Sequence, residues 1–520
     1  MDLADKGEYV KKGTVAAILA VVAVAWLPGF SGAAEIDPTK FYSISNSDVS
    51  SALWTVDPQS GGVAKVLDLK LPNNGGTPNF MTNAIAFSPS NNLYGWDTAG
   101  KRLYSINLSS GQIDYIGPSN ANSSLDTNLI NGLSFVKTGT DTGILYGIAG
   151  ATDKLYSIDT ATGIASSAGD SYTNVKHVGM AVNFGTNQLY AVSGWADGMP
   201  DYLLKINPNP TPVVNDVHTT NTMGNYTWTT KYSGDSTGSS YNSTGYIHLD
   251  GTSNGSPGGN WIPAYAQAEK TMSNIPKSGY AKLNFTLVGD GAGQSRIVFF
   301  IKQDENNFYK FTITDDTYGS SGYTQGVSKT VNGIAVNHVE GVGTVGIGGN
   351  ETENIVTSMN QNVIMEVWWD PTYLKMVLKD KNGNILANYN LSTTNMTIID
   401  PTKFSFMSYR FDTDWNSIEI EPGVAQIAGV LGTDFNDTSA EFDPISGKLY
   451  TVRDSYRLYS LDINTGAASL VADLGDGFHS TNLAHSWPAD TAPVPEPGTL
   501  VLLGSGLFGL AGYGRKKLKK

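Results

Sequence analysis

The chain has 520 residues, a formal net charge of −14 and no cysteine, and only 15% of its side chains are charged. Without cysteine there are no disulfides and no lipid-modified N-terminal thiol, so any exported domain must hold by packing alone. The acidic balance excludes a nucleic-acid face, which needs clustered Lys and Arg. The 58 glycines and 26 tyrosines, with frequent Thr, Asn and Ser, predict many turns, short strands and an all-β body of two domains.

At the N-terminus, Lys6, Lys11 and Lys12 precede an apolar stretch from Val15 to Leu27, and Ser31-Gly32-Ala33-Ala34 follows. A charged region, a hydrophobic region and small residues in that order read as a secretory signal peptide over 1–34, cut after Ala33 or Ala34. An uncleaved anchor is the alternative.

A repeat occupies 35–215 and returns over 423–490. Its units are Leu53-Trp54-Thr55-Val56-Asp57, Leu103-Tyr104-Ser105-Ile106-Asn107, Leu155-Tyr156-Ser157-Ile158-Asp159, Leu203-Leu204-Lys205-Ile206-Asn207 and Leu458-Tyr459-Ser460-Leu461-Asp462. Each pairs with a preceding strand that begins Phe41-Tyr42, Leu93-Tyr94, Leu145-Tyr146, Leu189-Tyr190 or Leu449-Tyr450. Four of the five units close on a turn that ends in Gly61, Gly111, Gly163 or Gly466. A further strand rich in small residues precedes four of the pairs, at Ala84–Phe87, Gly132–Phe135, Gly179–Val182 and Ser439–Phe442. The first unit lacks one upstream, and Thr481–His485 supplies it at the far end. These units resemble the repeats of bacterial exported β-propellers. The resemblance implies five blades, closed by the pairing of N- and C-terminal strands.

The repeat is interrupted over 216–422, where longer strands appear at Gly279–Val288, Arg296–Lys302, Asn307–Ile313 and Val363–Trp369. A hairpin follows, turned at Lys381-Asn382-Gly383, and strands at Phe404–Tyr409 and Trp415–Ile420 end the segment. The order resembles a concanavalin-like or laminin-G-like jelly roll, an inserted β-sandwich whose relatives include sugar binders and enzymes. The insertion is expected in the hairpin before the last strand of blade four, unless Pro212–Asp216 is itself that strand.

No catalytic constellation is legible. The candidate inner propeller strands hold one acid, Glu441, and Glu366-Val367-Trp368-Trp369-Asp370 lacks the second Glu of a laminarinase-like motif. The six histidines are scattered, with no nucleophile elbow and no metal-ligand spacing. Calcium is the one cofactor with candidate ligands, at Asp380-Lys381-Asn382-Gly383-Asn384 and at Asp412 and Asp414. Exposed rings for a sugar are sought at Tyr309, Trp368, Trp369 and Trp415; core packing is the competing reading of all four.

The tail, 491–520, reads Val494-Pro495-Glu496-Pro497-Gly498, then an apolar run from Leu500 to Tyr513, then Arg515-Lys516-Lys517 and further basic residues. The run is shorter than the roughly 20 residues that span a bilayer, and its basic end fits the cytoplasmic side. This order resembles the PEP-CTERM sorting tail of bacteria. The resemblance implies export by the secretion machinery, a transient membrane anchor, a cut by an exosortase-type membrane protease near Pro495-Glu496-Pro497, and delivery to the cell surface or extracellular matrix. The expected function is non-catalytic binding of polysaccharide or protein in a biofilm layer. A glycan-active enzyme and a structural scaffold are the alternatives.

Overall fold

The computed structural model describes residues within 36–488, apart from several stretches of which 251–264 and 339–361 are the longest. The signal-cleavage candidates Ala33 and Ala34 lie outside the described residues, as do the sorting residues Pro495, Glu496, Pro497, Gly498, Arg515, Lys516 and Lys517.

The described chain is almost wholly β. Blade one holds β1 (Phe41–Asn46), β2 (Ser51–Val56) and β3 (Val63–Asp68). Blade two holds β4 (Thr82–Phe87), β5 (Leu93–Asp97), β6 (Arg102–Ile106) and β7 (Ile113–Ile116). Blade three holds β8 (Ile130–Lys137), β9 (Gly143–Ala149), β10 (Lys154–Ile158) and β11 (Ala165–Asp170). Blade four begins with β12 (His177–Asn183), β13 (Gln188–Ser193) and β14 (Tyr202–Ile206).

The chain then leaves the ring for fifteen strands. They are β15 (Val214–Val217), β16 (Thr227–Lys231), β17 (Ser239–Ser243), β18 (Tyr246–Asp250), β19 (Tyr265–Thr271), β20 (Gly279–Leu287), β21 (Ser295–Lys302), β22 (Phe308–Asp315), β23 (Gly326–Val331), β24 (Ile334–His338), β25 (Asn362–Trp369), β26 (Tyr373–Asp380), β27 (Ile385–Ser392), β28 (Lys403–Tyr409) and β29 (Asp412–Pro422). It returns through β30 (Ala425–Val430), which pairs with β14 as the outer strand of blade four. Blade five is β31 (Ser439–Phe442), β32 (Leu449–Arg453), β33 (Arg457–Leu461) and β34 (Ala468–Asp473). Finally β35 (Ala484–His485) pairs with β1. The strand at Val214–Val217 belongs to the insertion, because it pairs with β29 and not with blade four.

The repeat has two physical causes. The first residue of each pair, Leu or Phe41, is buried, and in three of the units the Tyr packs on an aromatic ring of the next blade. Tyr42 meets Phe87, Tyr94 meets Phe135 and Tyr190 meets Phe442, at 5.3, 5.6 and 5.5 Å between centroids. The closing turn is an Asx turn. The Asp159 carboxylate accepts the Ala161 amide at 2.8 Å, and the Gly163 amide donates to the Asp159 carbonyl at 2.7 Å. Gly163 has φ +71°, and a Cβ there would stand 2.3 Å from the Ile116 carbonyl oxygen of blade two. Glycine therefore satisfies both the left-handed backbone and the close approach of the neighbouring blade.

Ring closure uses few contacts. Phe41 pairs with His485 and Tyr42 with Ala484. Beyond them the Asn482 carboxamide takes the place of a backbone partner: its Oδ1 accepts the Ile44 amide at 2.7 Å and its Nδ2 donates to the Ile44 carbonyl at 3.1 Å. Trp487 then fastens the segment to blade two, its Nε1 donating to the Phe87 carbonyl at 2.8 Å.

The insertion is a two-sheet sandwich. One sheet runs β17-β18-β29-β20-β25-β26-β27, with β15 also on β29; the other runs β16-β19-β28-β21-β22-β23-β24. Strict alternation sends Ala281, Leu283, Phe285 and Leu287 of β20 inward. They meet the inner face of the second sheet, where Phe299, Phe311, Phe404 and Phe406 are fully buried.

On β15, the Asp216 carboxylate accepts the Tyr226 hydroxyl at 2.6 Å and faces His218 Nδ1 at 3.4 Å and Lys270 Nζ at 3.6 Å. Burial opposes its ionisation, but the hydrogen bonds from His218 and Tyr226 and the Lys270 charge outweigh burial and hold it at about 2. A depressed carboxylate stabilises the fold above its unfolded value of 3.8, and that contribution is lost as pH falls through about 2. Acid titration of unfolding should therefore show a loss of stability in that window, which Asp216→Asn flattens. Asn482→Ala should lower stability by about 1–3 kcal/mol in urea unfolding, because it leaves the buried Ile44 amide and carbonyl without partners.

A candidate binding face on the sandwich

Three of the four candidate rings belong to the core. Trp415 is fully buried, with Phe285 at 4.6 Å and Phe406 at 4.7 Å between centroids, and its Nε1 donates to Thr413 Oγ1. Trp369 is 1% exposed and donates to the Pro276 carbonyl at 3.0 Å; Tyr309 is fully buried. Their strand parity points them between the sheets, into the core. Trp368 has the opposite parity on β25 and stands half-buried on the outer face of the first sheet.

Around Trp368 the outer face gathers groups from four adjacent strands. In register, Trp368 lies opposite Tyr280 on β20 and Lys375 on β26, and Tyr280 lies opposite Glu421 on β29. One step along, Lys282 lies between Glu366 and Glu419. A further step brings Asn284, whose Oδ1 accepts Asn362 Nδ2 at 2.6 Å and Asn416 Nδ2 at 3.4 Å. Directly opposed side chains on such strands stand about 5 Å apart, so the face carries a band of rings, then carboxylates, then amides.

The propeller adds one ring. Tyr172, just past β11, stacks on Tyr280 at 5.2 Å, and Tyr280 meets Trp368 at 5.1 Å. The Tyr172 hydroxyl donates to Glu421 Oε2 at 3.4 Å. Tyr172 has φ +56°, left-handed and unfavourable for a residue with a Cβ, and its ring stack and hydroxyl contact offset that cost. Burial, then the Glu421 charge, pushes the Tyr172 hydroxyl well above the usual phenol range. Burial and the neighbouring Glu419 carboxyl raise Glu421. Lysines already use the other end of the band: Lys375 Nζ lies 4.8 Å from the Trp368 centroid and Lys379 Nζ 2.6 Å from a Glu366 oxygen.

The calcium candidates resolve into turn and ladder chemistry. Asp380 Oδ1 accepts the amides of Asn382 and Asn384, closing the β26–β27 hairpin. Asp414 bonds His248 Nδ1 at 2.7 Å. Among the described residues no three His, Asp or Glu side chains are grouped as a metal site requires. Glu441 is buried at the closure seam, where burial raises its carboxyl well above the usual range.

Glu419, Glu421, Tyr280 and Lys282 are absent from the sequence-based candidates, and Glu366 enters there only in an incomplete laminarinase-like motif, although their alternation in β20, β25 and β29 was legible. What was missing was which strands adjoin. Trp415→Ala should cost about 3–5 kcal/mol in chemical unfolding, as a large core truncation does. Trp368→Ala on the outer face should cost about 1 kcal/mol or less.

Solved structures similar to the chain include the VIP36 exoplasmic/lumenal domain in its Ca2+/Man3GlcNAc-bound form, with TM-score 0.24 and 13% identity over 37% of this chain and 82% of that one. Lectin I-B4 from Griffonia simplicifolia, in its metal-free form, has TM-score 0.26 and 13% identity over 40% of this chain and 98% of that one. Lectin II from Ulex europaeus has TM-score 0.26 and 10% identity over 40% and 98%. Among curated proteins, none matches the chain. The family model described as the PEP-CTERM protein-sorting motif matches residues 493–516. The chain thus carries a PEP-CTERM sorting motif, the mark of an exported protein sorted by an exosortase-type system.

Proposed function

We propose that the protein is a non-catalytic binder of polysaccharide in the extracellular layer, and that the outer face of the β20–β25–β29 sheet is its binding surface. One observation carries the reading: Tyr280 and Trp368 stand beside Glu366, Glu419 and Glu421 and the amides of Asn284, Asn362 and Asn416 on one continuous face. Carboxylates and amides supply directional acceptors and donors for sugar hydroxyls, and ring edges supply apolar contact for the pyranose. The propeller fixes one end of the face through Tyr172. Export with transient anchoring, which the sorting motif marks, supports the location. Calcium is no part of this proposal.

A hydrolytic reading is favoured by one feature. Glu366 and Glu419 both oppose Lys282 and so lie two strands apart, roughly 10 Å between backbones, near the spacing of carboxylates that activate water between them. Lys379 bound to Glu366 favours binding instead, since it holds that carboxylate in an ion pair.

A glycan array probed with the purified protein separates the readings. Retention on one class of sugar, lost with Trp368→Ala or Glu366→Gln and kept with a propeller-rim variant such as Asp114→Asn, is the expected outcome. New reducing ends that disappear with Glu366→Gln would replace binding with hydrolysis. Silence across the array would leave a structural scaffold.

A further inference from the structure

We propose that the outer face of the second sheet is a separate site for a uronate, a pyranose that carries a carboxylate. Lys310 takes the carboxylate, Phe300 lies beside the sugar ring, and Ser405 takes a sugar hydroxyl. The inference goes beyond the face already described. It lies on the other sheet, uses other residues and takes a charged sugar, which the carboxylates of the first face repel.

Parity sets this face. Ile297, Phe299 and Ile301 of β21 and Tyr309 and Phe311 of β22 are buried in the sandwich core, so Phe300 and Lys310 point the other way. In register, one row crosses five strands: Glu269 on β19, Ser405 on β28, Phe300 on β21, Lys310 on β22 and Ser328 on β23. Val298, Thr312 and Ser405 point outward yet are buried, while Phe300, Lys310 and Met407 are half-buried. Short side chains therefore floor this face and longer ones rise from it. Lys302 and Phe308 contact the Phe300 ring at 4.8 and 5.6 Å, which fixes its position.

Two independent observations point to a ligand. The first is a cation without an anion. At the Glu269 end the lysines are balanced: Lys302 Nζ lies 3.5 Å from Glu269 and 3.2 Å from Glu305, and Lys403 Nζ lies 3.3 and 2.7 Å from the same two residues. Among the described residues no carboxylate pairs with Lys310, and its charged neighbour is another cation, Arg296. Burial, then the Arg296 charge, lowers the Lys310 ammonium from its ordinary value. A ligand carboxylate offsets both costs through a charge-assisted hydrogen bond. The chain as a whole carries −14, so its overall field repels such a ligand and the attraction is local. The second observation is an orphaned hydroxyl. Ser405 is fully buried on this face, and its Oγ has no hydrogen-bond partner, which is costly for a buried polar atom. A bare anion would use Lys310 alone. Ser405 stands on the far side of Phe300, two strands and roughly 10 Å of backbone from Lys310. That arrangement fits a ring-shaped ligand with a carboxylate on one side and hydroxyls on the other.

The test compares oligogalacturonate, whose carboxylates are free, with its methyl ester of the same length. Binding to the full chain is measured by calorimetry with a calcium chelator present, at a pH where the uronate is ionised and Lys310 is protonated. Oligogalacturonate is expected to bind at least about tenfold more tightly, with a preference that shrinks in salt. Lys310→Gln should erase most of that preference, and Lys310→Arg, which keeps the charge, should retain it. Ser405→Ala should weaken oligogalacturonate without changing its salt dependence. Lys205→Gln, which removes the same charge from blade four, leaves the preference intact. Equal affinity for acid and ester, or no binding to either, overturns this site, while the glycan array decides the first face separately. Equal weakening by Lys205→Gln reduces the effect to bulk charge and overturns the site. A preference lost with Trp368→Ala and kept with Lys310→Gln moves the sugar to the first face and overturns it too. Short poly-glutamate that binds as tightly, with the same loss in the Lys310→Gln variant, assigns the site to an acidic peptide and overturns the sugar class.

Discussion

Everything else in the structure depends on the closing of the ring. The first blade receives its inner strand from the far end of the chain, through two residue pairs between β1 and β35 and the Asn482 carboxamide on Ile44. A propeller blade left with an open inner edge would present unpaired amides and carbonyls at the crowded axis, where water cannot reach them all. The side chain of Asn482 continues the ladder where the backbone turns away. Trp487 then ties the same segment to blade two, so the closing strand joins two neighbours rather than one. His485 sits in this seam with Glu441, both buried; burial raises the Glu441 carboxyl and lowers the His485 imidazole.

The sandwich inherits its position from that ring. It enters after β14 and leaves before β30, two strands paired with each other in blade four, so both of its ends are fixed by one antiparallel ladder. Contacts beyond the connections reinforce this. Gln426 Nε2 donates to the Ser278 carbonyl at 3.1 Å, and a Cβ on Gly423 would lie 1.8 Å from the Ser171 carbonyl oxygen. Tyr172 is the next residue after Ser171, and its stack on Tyr280 carries the propeller onto the outer face of the sandwich. The proposed binding surface is therefore a joint product of both domains: the sandwich supplies the sheet, and the propeller supplies the ring that borders its carboxylates.

Parity explains which aromatic residues ended in the core. On β25 the burial pattern alternates without a break, with Trp369 inside and Trp368 outside. The sequence places these two rings on opposite faces, yet it holds no statement of which face is covered. The choice is made by the second sheet, whose Phe404 and Phe406 come from β28, far along the chain. Trp415 follows the same logic on β29. The polar faces of β20, β25 and β29 each look like ordinary solvent-exposed alternation when read singly. They become a site only because β20 lies between the other two.

The sequence by itself determined the sorting motif, the five-unit repeat, the displaced closing strand and the interruption by longer strands. Each of these is local: an ordered tail, a turn whose glycine must take a positive φ, a period of two along a strand. Tertiary structure alone decided that Glu366 and Glu419 flank Lys282, that Tyr172 crosses from one domain to the other, and that three of the four candidate rings are packing residues. The physical reason is that strand order and sheet stacking bring together residues from distant parts of the chain, such as Tyr172 and Tyr280 or Lys282 and Glu419. Adjacency of that kind is set by the pairing of whole strands and by the burial of one face against another, which no short stretch of sequence contains.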